Sequence, residues 1–311
     1  MSRTCRHNSE SVQPSGPMAR VAVVGVGAIG AATAAAVQSA GGHRLLLCGR
    51  QAQEEVVVEL PDGTAVSVPG PLLTDPAGVD GAADWVLLAV KAHQTPGAAG
   101  WLSALCGPET VVAVLQNGID HVERVGPLVG DAEVLPVVNW CPVEPVAPGR
   151  VRQRDALRLA VPAGAAGEGL AALLGAHADV TVGGAFELEA WRKLCANAVS
   201  GLMALAGRPA EIFALGDLRE VARALAHECA AVARAEGVEL TDRDADDVIA
   251  WIEALPKDAG SSILADRLAG RALEWEARND VIGRLGRRHG VPTPVSDTVS
   301  ALLHAASEGA A

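Results

Sequence analysis

The chain has 311 residues, a net charge of −12 and a hydrophobic content of 50%. A general nucleic-acid binder needs a basic face, so this acidic balance argues against one. The length is enough for two domains. The six cysteines are scattered with no CxxC pair, which favours a cytoplasmic protein with reduced thiols over disulfides or a zinc site. No stretch reads as a membrane span or a secretion signal.

The first part of the chain alternates short apolar runs with helical patterns. Residues 1–17 are polar and aperiodic and predict a disordered leader. The runs that follow are continuous, as expected of parallel strands buried on both faces. They are Val21–Val26, Arg44–Cys48, Val56–Leu60, Trp85–Val90, Val111–Leu115 and Val134–Val138. Between them, ELPDGTAVSVPG predicts an inserted hairpin that turns at Asp62-Gly63.

The second part of the chain contains only helical patterns. They begin with GGAFELEAWRKLCANAVSGLMALAG and continue over Leu218–Glu236, Arg243–Leu255 and Ser262–His289. The sequence therefore predicts an α/β fold. A Rossmann-type, doubly wound sheet is expected over residues 18–184, and an all-helical domain over residues 185–311.

The segment VAVVGVGAIGAATAAAV carries three glycines at the spacing G-x-G-x-x-G. It follows a strand and opens a helix, which is the context of a dinucleotide site. Gly25 permits the tight turn, Gly27 allows a pyrophosphate to approach the backbone, and Gly30 lets the helix pack close to the sheet. Ala28 and Ile29 then offer backbone N–H groups at the start of the helix. The alternative is an ordinary glycine-rich turn.

The second apolar run ends in Gly49-Arg50. Sites specific for NAD place a carboxylate here, where it binds the ribose 2′-hydroxyl. A guanidinium instead favours the 2′-phosphate of NADP through charge-assisted hydrogen bonds. Arg50 therefore predicts NADP(H), unless it is simply a solvated surface arginine.

Polar side chains follow two of the later runs. Lys91 and Gln94 come after the run that ends at Val90, and Gln116 and Asn117 follow the run that ends at Leu115. Ligands of open α/β sheets bind beyond the carboxyl ends of the strands. Because both groups are expected at this edge, ligand contact is favoured over a solvated lysine and a simple Asn-Gly turn.

The chain resembles the ketopantoate reductase (2-dehydropantoate 2-reductase) family from Val21 to the end of the last helix. The resemblance rests on the segments GVGAIG, AVKAHQT, LQNGID, WRKLCANAV and SSILADRLAGRALEWEARNDVIGRLGRRHGVPTP. It implies a Rossmann-type domain followed by a helical one. It also implies NADPH-dependent reduction of a 2-oxo acid, by default 2-dehydropantoate, to the 2-hydroxy acid in pantothenate biosynthesis.

The resemblance also implies roles for individual residues. The family's catalytic lysine and glutamate match Lys193 and Glu274, and Lys91 matches a lysine near the cofactor and substrate. Its substrate-binding residues match Asn117, Asn197 and Ser262. Since Lys193 and Asn197 are four residues apart on a predicted helix, both project from one face. An ammonium there can stabilise charge on a carbonyl oxygen and supply its proton. Glu274 is expected three turns along the helix that starts near Ser262.

The chain departs from the family pattern at three places. Gly201 stands where a second asparagine is usual, QRDALRLAV replaces a glycine-rich hairpin, and Asp280 replaces a common glycine. We expect the loss of the asparagine side chain to widen the pocket and to favour a larger or less polar substrate. This leaves open a relative that reduces another oxo or imino acid. It also leaves open a non-catalytic NADP-binding sensor and a homodimer. No motif predicts a metal site.

Overall fold

The computed structural model describes residues 18–308, so the predicted leader over residues 1–17 lies outside the described residues. Twelve strands form three sheets within this range. In chain order the strands are β1 (Arg20–Val24), β2 (Arg44–Cys48), β3 (Glu55–Glu59), β4 (Ala65–Pro69), β5 (Trp85–Leu88), β6 (Val111–Val114), β7 (Glu133–Pro136), β8 (Val138–Trp140), β9 (Val143–Ala147), β10 (Arg150–Gln153), β11 (Arg158–Val161) and β12 (Asp179–Val182).

The largest sheet has five parallel strands in the order β2-β1-β5-β6-β7. Val21 and Val23 of β1 pack into one hydrophobic cluster, while Ala22 and Val24 pack into another on the opposite face. Both faces are therefore buried, which confirms the predicted doubly wound sheet. The chain leaves β1 for β2 on one side and returns to β5 on the other. This reversal creates a crevice at the carboxyl ends of β1 and β5.

The predicted hairpin is confirmed, and it corrects the assignment of one run. β3, predicted as Val56–Leu60 among the strands of the main sheet, pairs instead with β4 and β10 in a sheet ordered β4-β3-β10-β9. Gly63 at the turn has φ +84°, a conformation that favours glycine, and it folds β4 directly back onto β3. The third sheet has the order β12-β11-β8.

The helices in chain order are α1 (Ala28–Ala40), α2 (Ala99–Leu105), α3 (His121–Val125), α4 (Ala165–Leu174), α5 (Phe186–Ala206), α6 (Gly216–Ala235), α7 (Asp242–Glu253), α8 (Ser262–Leu268), α9 (Val281–His289) and α10 (Pro294–Ser307). No strand follows β12 within the described range, as predicted for a helical second part. α5 lies at its centre, in contact with α6, α7, α8 and α10. A domain boundary at residue 184 stays a prediction. None of the described helices is both long and apolar enough to cross a membrane.

The helix predicted over Ser262–His289 is interrupted, and this part of the prediction is wrong. α8 ends at Leu268, and Gly270 adopts the left-handed region with φ +64°. Residues 271–274 are not helical, and a π-helical turn over Glu276–Asp280 leads into α9. Glu274 therefore lies in the connection between two helices, rather than three turns along one.

The close approach of α1 to the sheet gives a stability test. A Cβ on Gly30 would lie 2.0 Å from the carbonyl oxygen of Gly25, whereas a Cβ on Gly27 would meet no atom within 4 Å. Gly30→Ala should therefore lower the free energy of unfolding by roughly 2–3 kcal/mol. The control Gly27→Ala should change it by less than about 1 kcal/mol. Urea denaturation measures both values, and equal losses would contradict this packing.

Candidate active site

The Glu274 carboxylate joins the helical part of the chain to two loops of the parallel sheet. The residue is 6% exposed. Its Oε1 accepts a hydrogen bond from the backbone N–H of Ala92, at 2.9 Å, and its Oε2 accepts one from Nδ2 of Asn117, at 3.0 Å. Ala92 follows β5 and Asn117 follows β6, so these contacts lie at the carboxyl ends of neighbouring strands. Glu274 and Asn117, both predicted from the sequence, are thereby brought together.

Lys193 projects from α5 towards the same edge of the sheet. Its Nζ donates a hydrogen bond to the backbone carbonyl of Asn139 and lies 5.2 Å from the ring centroid of Trp140. A small cavity beside it is also lined by Asn117 and Asn197. The ammonium therefore points inward at the carboxyl ends of the strands, as a role at this site requires.

The surroundings of Lys193 lower its pKa from 10.5 to about 7. Removal of the ammonium from water is the largest cause. The nearby guanidinium of Arg278 adds to it, and the Glu274 carboxylate opposes it. The folded protein therefore releases this proton more readily than the unfolded chain does. A side chain in this state can give up and regain a proton readily, which suits a general acid or base.

Arg278 connects the remaining predicted substrate residues. Its Nη2 donates to Oδ1 of Asn197 at 3.0 Å and to Oγ of Ser200 at 2.9 Å, and its Nη1 donates to Oγ of Ser262 at 2.9 Å. Asn197 in turn donates from Nδ2 to Oδ1 of Asn117 at 3.3 Å. One hydrogen-bond network therefore joins Ser262, Asn197, Asn117 and Glu274, with Lys193 beside it.

The sequence around Arg278 does not indicate a buried arginine. This residue lies four residues after Glu274 in the charged segment EWEARND, a spacing typical of a solvated ion pair on a helix surface. The π-helical turn changes the helical phase, so that Ala277, Arg278 and Asn279 are all buried in succession. No residue pattern in the segment indicates this turn.

Ser262 is the first residue of α8, as expected for a helix that starts near it. The N-cap is Ser261, whose Oγ accepts a hydrogen bond from the backbone N–H of Leu264 at 3.3 Å. Ser262 is the first helical residue and is exposed. Its hydroxyl is therefore free of the capping role and accepts the hydrogen bond from Arg278.

Lys91 is not a solvated lysine. It forms an ion pair with Asp266, a residue of α8 that is 4% exposed and that also accepts a hydrogen bond from Nε of Arg271 at 3.0 Å. This contact ties the loop after β5 to the helical part of the chain. Gln94 lies nearby in a 3₁₀ segment over Ala92–Ala98. Its side chain makes no hydrogen bond to another residue of the range 18–308, so it is not part of the network.

The glycine segment forms a tight turn between β1 and α1. Gly25 has φ +95°, and a Cβ there would lie 2.6 Å from the backbone nitrogen of Val90. Ala28 and Ile29 begin α1, whose N-terminus receives no hydrogen bond from a capping side chain. Open space faces Gly27. Arg50 is exposed just beyond β2 and forms no ion pair with any residue in the described part of the chain.

The expected widening of the pocket at Gly201 is wrong. A Cβ on Gly201 would lie 3.0 Å from Cδ1 of Leu303 and 3.2 Å from Oδ1 of Asn279. The position therefore faces packed side chains and not open space. The absence of an asparagine at residue 201 gives no reason to expect a larger substrate.

Among residues 18–308, no group of three or more histidine, cysteine, aspartate or glutamate side chains is arranged to hold a metal ion. The buried Cys195 donates from Sγ to the carbonyl of Ala226 and belongs to the helical core. The chemistry available at the network is therefore that of the lysine, the carboxylate, the guanidinium and the amides.

Comparison with known proteins gives a consistent result over nearly the whole chain. The family described as ketopantoate reductase PanE/ApbA matches residues 21–166, and the one described as ketopantoate reductase PanE/ApbA C terminal matches residues 185–307. A 2-dehydropantoate 2-reductase of Mycobacterium tuberculosis (strain CDC 1551 / Oshkosh) is 44% identical over 290 residues, covering 93% of this chain and 98% of its own. One from Caulobacter vibrioides is 41% identical over 292 residues, covering 93% and 100%.

A solved structure agrees with these matches. The PanE/ApbA family ketopantoate reductase from Ralstonia eutropha JMP134 superimposes with a TM-score of 0.84 and 29% identity. The superposition covers 94% of this chain and 99% of the other. The arrangement of the sheet and helices is thus shared by the two proteins.

The low pKa of Lys193 predicts a specific pH dependence of stability. The folded form gives up this proton near pH 7 and the unfolded chain near pH 10.5, so between these values the unfolded chain holds more protons. Raising the pH across this window should therefore stabilise the fold, by up to about 1.4 kcal/mol per pH unit. Lys193→Met should lose this contribution, and the control Arg192→Met should keep it. Urea denaturation between pH 7 and pH 9.5 tests this, and parallel curves for the wild type and Lys193→Met would contradict it.

Proposed function

Since the chain belongs to the ketopantoate reductase family, we propose that it reduces 2-dehydropantoate to pantoate with NADPH. One observation carries the proposal. The Lys193 ammonium points inward to the carboxyl ends of the strands, beside the network that contains Asn117 and Asn197. A cationic proton donor next to amide groups is what the reduction of a carbonyl to an alcohol requires.

The glycine segment supports binding of a dinucleotide. The uncapped N-terminus of α1 presents free N–H groups and a partial positive charge, and the open space at Gly27 admits a phosphate close to the backbone. Gly25, Ala28, Ile29 and Gly30 shape this turn. The exposed Arg50 would bind the 2′-phosphate of NADPH. Lys91, Gln94 and Asn117 lie at the ends of the next strands, where the nicotinamide half would reach.

The proposed chemistry divides between the cofactor and the side chains. NADPH, when bound, supplies the hydride for the carbonyl carbon of the 2-oxo acid. Lys193 stabilises the charge that develops on the oxygen and donates its proton there. Asn197 and Asn117 orient the substrate, and Ser262 adds a hydroxyl. Glu274 holds the Asn117 amide in place and keeps part of the charge on Lys193.

One assay separates this proposal from its alternatives. Protein, NADPH and 2-dehydropantoate are mixed while cofactor absorbance is followed. Oxidation with this acid supports the proposal, and oxidation only with other oxo or imino acids identifies a relative with a different substrate. Cofactor binding without turnover on any acid identifies a sensor. A homodimer and a cytoplasmic location stay predictions.

Replacement of Lys193 tests the proton donor. Lys193→Met should lower kcat for 2-dehydropantoate by roughly 10²–10⁴-fold, because a positioned general acid contributes a factor of this size. The Kd for NADPH, measured by fluorescence titration, should change by less than about threefold, a small effect next to the loss in kcat. The matched control Arg192→Met removes the neighbouring cation, which pairs with Asp244 of α7. It should retain kcat, and equal losses in both variants would exclude Lys193 as the donor.

Replacement of Arg50 tests the choice of cofactor. Arg50→Gln should lower kcat/KM for NADPH by roughly 10–100-fold, since charge-assisted hydrogen bonds to the 2′-phosphate are lost. Activity with NADH should not fall. The control Arg44→Gln removes an exposed arginine from the start of β2, where it pairs with Asp80 at 3.1 Å, and should leave the ratio between the cofactors unchanged. Equal losses of kcat/KM with NADPH and NADH would show that Arg50 does not bind the 2′-phosphate.

A further inference from the structure

We propose that Arg278 binds the carboxylate of the substrate and thereby restricts this enzyme to anionic 2-oxo acids. The inference rests on the proposed function, and it assigns a role to a residue that the sequence motifs did not single out. Its basis is a buried guanidinium that forms no ion pair with any carboxylate of residues 18–308.

Arg278 is a cation that lies almost entirely out of contact with solvent. It is 3% exposed, and among residues 18–308 it is the only arginine or lysine that is buried. Burial lowers its pKa, with Glu274 and Asp266 opposing this effect, but a guanidinium stays charged at any physiological pH. A charge removed from water is costly unless an opposite charge lies next to it.

The protein supplies no such opposite charge by direct contact. All three hydrogen bonds of Arg278 end on neutral oxygens, those of Ser262, Asn197 and Ser200. Its Nε, which is also buried, has no hydrogen-bond partner among the described residues. No carboxylate of the range 18–308 lies within 4.0 Å of its nitrogens. The guanidinium thus retains donors and a charge for a ligand.

The two carboxylates that act on Arg278, those of Asp266 and Glu274, make their direct contacts with other residues. Asp266 is paired with Lys91 and Arg271. Both oxygens of Glu274 accept hydrogen bonds, from the backbone of Ala92 and from Asn117. The charge of Glu274 acts on both Lys193 and Arg278. When Lys193 is protonated, the two cations together therefore carry one more charge than this carboxylate balances, and an anion from outside can balance it.

The position of Arg278 matches the shape of a 2-oxo acid. In such an acid the carboxylate and the reacting carbonyl are on adjacent carbons, so the groups that bind them must be neighbours. Arg278 is hydrogen-bonded to Asn197, which lies one helical turn from Lys193 on the same face of α5. Ser262 is an exposed residue, and its hydroxyl accepts the hydrogen bond from Nη1, so the guanidinium is in contact with a residue at the surface. A carboxylate that displaces or joins this hydroxyl reaches Arg278 while its carbonyl faces Lys193.

The test compares an acid with its neutral counterpart. The substrates are 2-dehydropantoate and its lactone, in which the same carbonyl lies beside an uncharged ester. The variants are Arg278→Met and Arg278→Lys. The control is Arg287→Met, which removes an exposed arginine of α9 that pairs with Asp297 at 2.9 Å. The measured quantity is the ratio of kcat/KM for the acid to kcat/KM for the lactone.

Arg278→Met should lower this ratio by about 100-fold or more, the size expected when a charged partner of a substrate ion is removed. Arg278→Lys should recover part of the loss, and Arg287→Met should leave the ratio unchanged. If Arg278 only held Asn197 and Ser262 in place, both substrates would lose activity equally and the ratio would stay constant. That result would overturn the proposal.

A second measurement does not depend on turnover or on a variant that folds. Isothermal titration of the wild-type protein with pantoate and with its neutral amide gives two Kd values. Pantoate should bind at least about 100-fold more tightly, and equal Kd values would overturn the proposal. If the wild type binds pantoate in this way but does not oxidise NADPH with 2-dehydropantoate, the proposed function fails while the anion site stands. If the wild type oxidises NADPH with 2-dehydropantoate but binds pantoate and its amide equally well, the proposed function stands while the anion site fails.

Discussion

The structure depends on an imbalance of charge in a place from which water is largely excluded. Arg278 and the carboxylate of Glu274 belong to one network, Lys193 lies beside it, and neither oxygen of Glu274 forms an ion pair with the two cations. Two like charges close together in a low dielectric make each other's charged state unfavourable. The lysine responds by losing its proton more easily, whereas the guanidinium cannot do so. An anionic ligand would relieve both effects at once, so affinity and proton donation are linked through one contact.

The same network also determines how the two parts of the chain meet. Glu274 contacts the loops after β5 and β6, and Asp266 contacts Lys91. On the other side of the junction, Arg284 of α9 binds Asp120 at 2.7 Å and Glu123 at 3.0 Å. The polar contacts that would orient a substrate are therefore continuous with those that hold the helices against the sheet. A substitution at the site can therefore also weaken the contacts between the helices and the sheet. A control variant with a similar change of charge at the surface separates the two effects.

The sequence predicted those features whose causes are local. The glycine spacing requires specific backbone geometry within a few residues, and the apolar runs report burial on both faces of the sheet. The i, i+4 spacing places Lys193 and Asn197 on one face of α5. Other features depend on contacts far apart in the chain. Arg278 lies in a charged segment, and the residues that accept its hydrogen bonds, Asn197 and Ser200, lie about 80 residues earlier. β3 pairs with β10, over 90 positions later, so its own apolar run does not show which sheet it joins. The break after α8 does have a local signal, because Gly270 follows its last turn, but the helical pattern resumes beyond it and conceals the end.

The packing around Gly201 limits which residues this position can hold during evolution. The amide of Asn279 and the side chain of Leu303 approach the backbone of α5 because no side chain is present at residue 201. The three positions, which lie on three separate helical segments, therefore share one packing contact. A residue larger than glycine at 201 would need the side chain of Asn279 or Leu303 to shift or to be replaced by a smaller one, so substitutions at these positions are expected to be coupled.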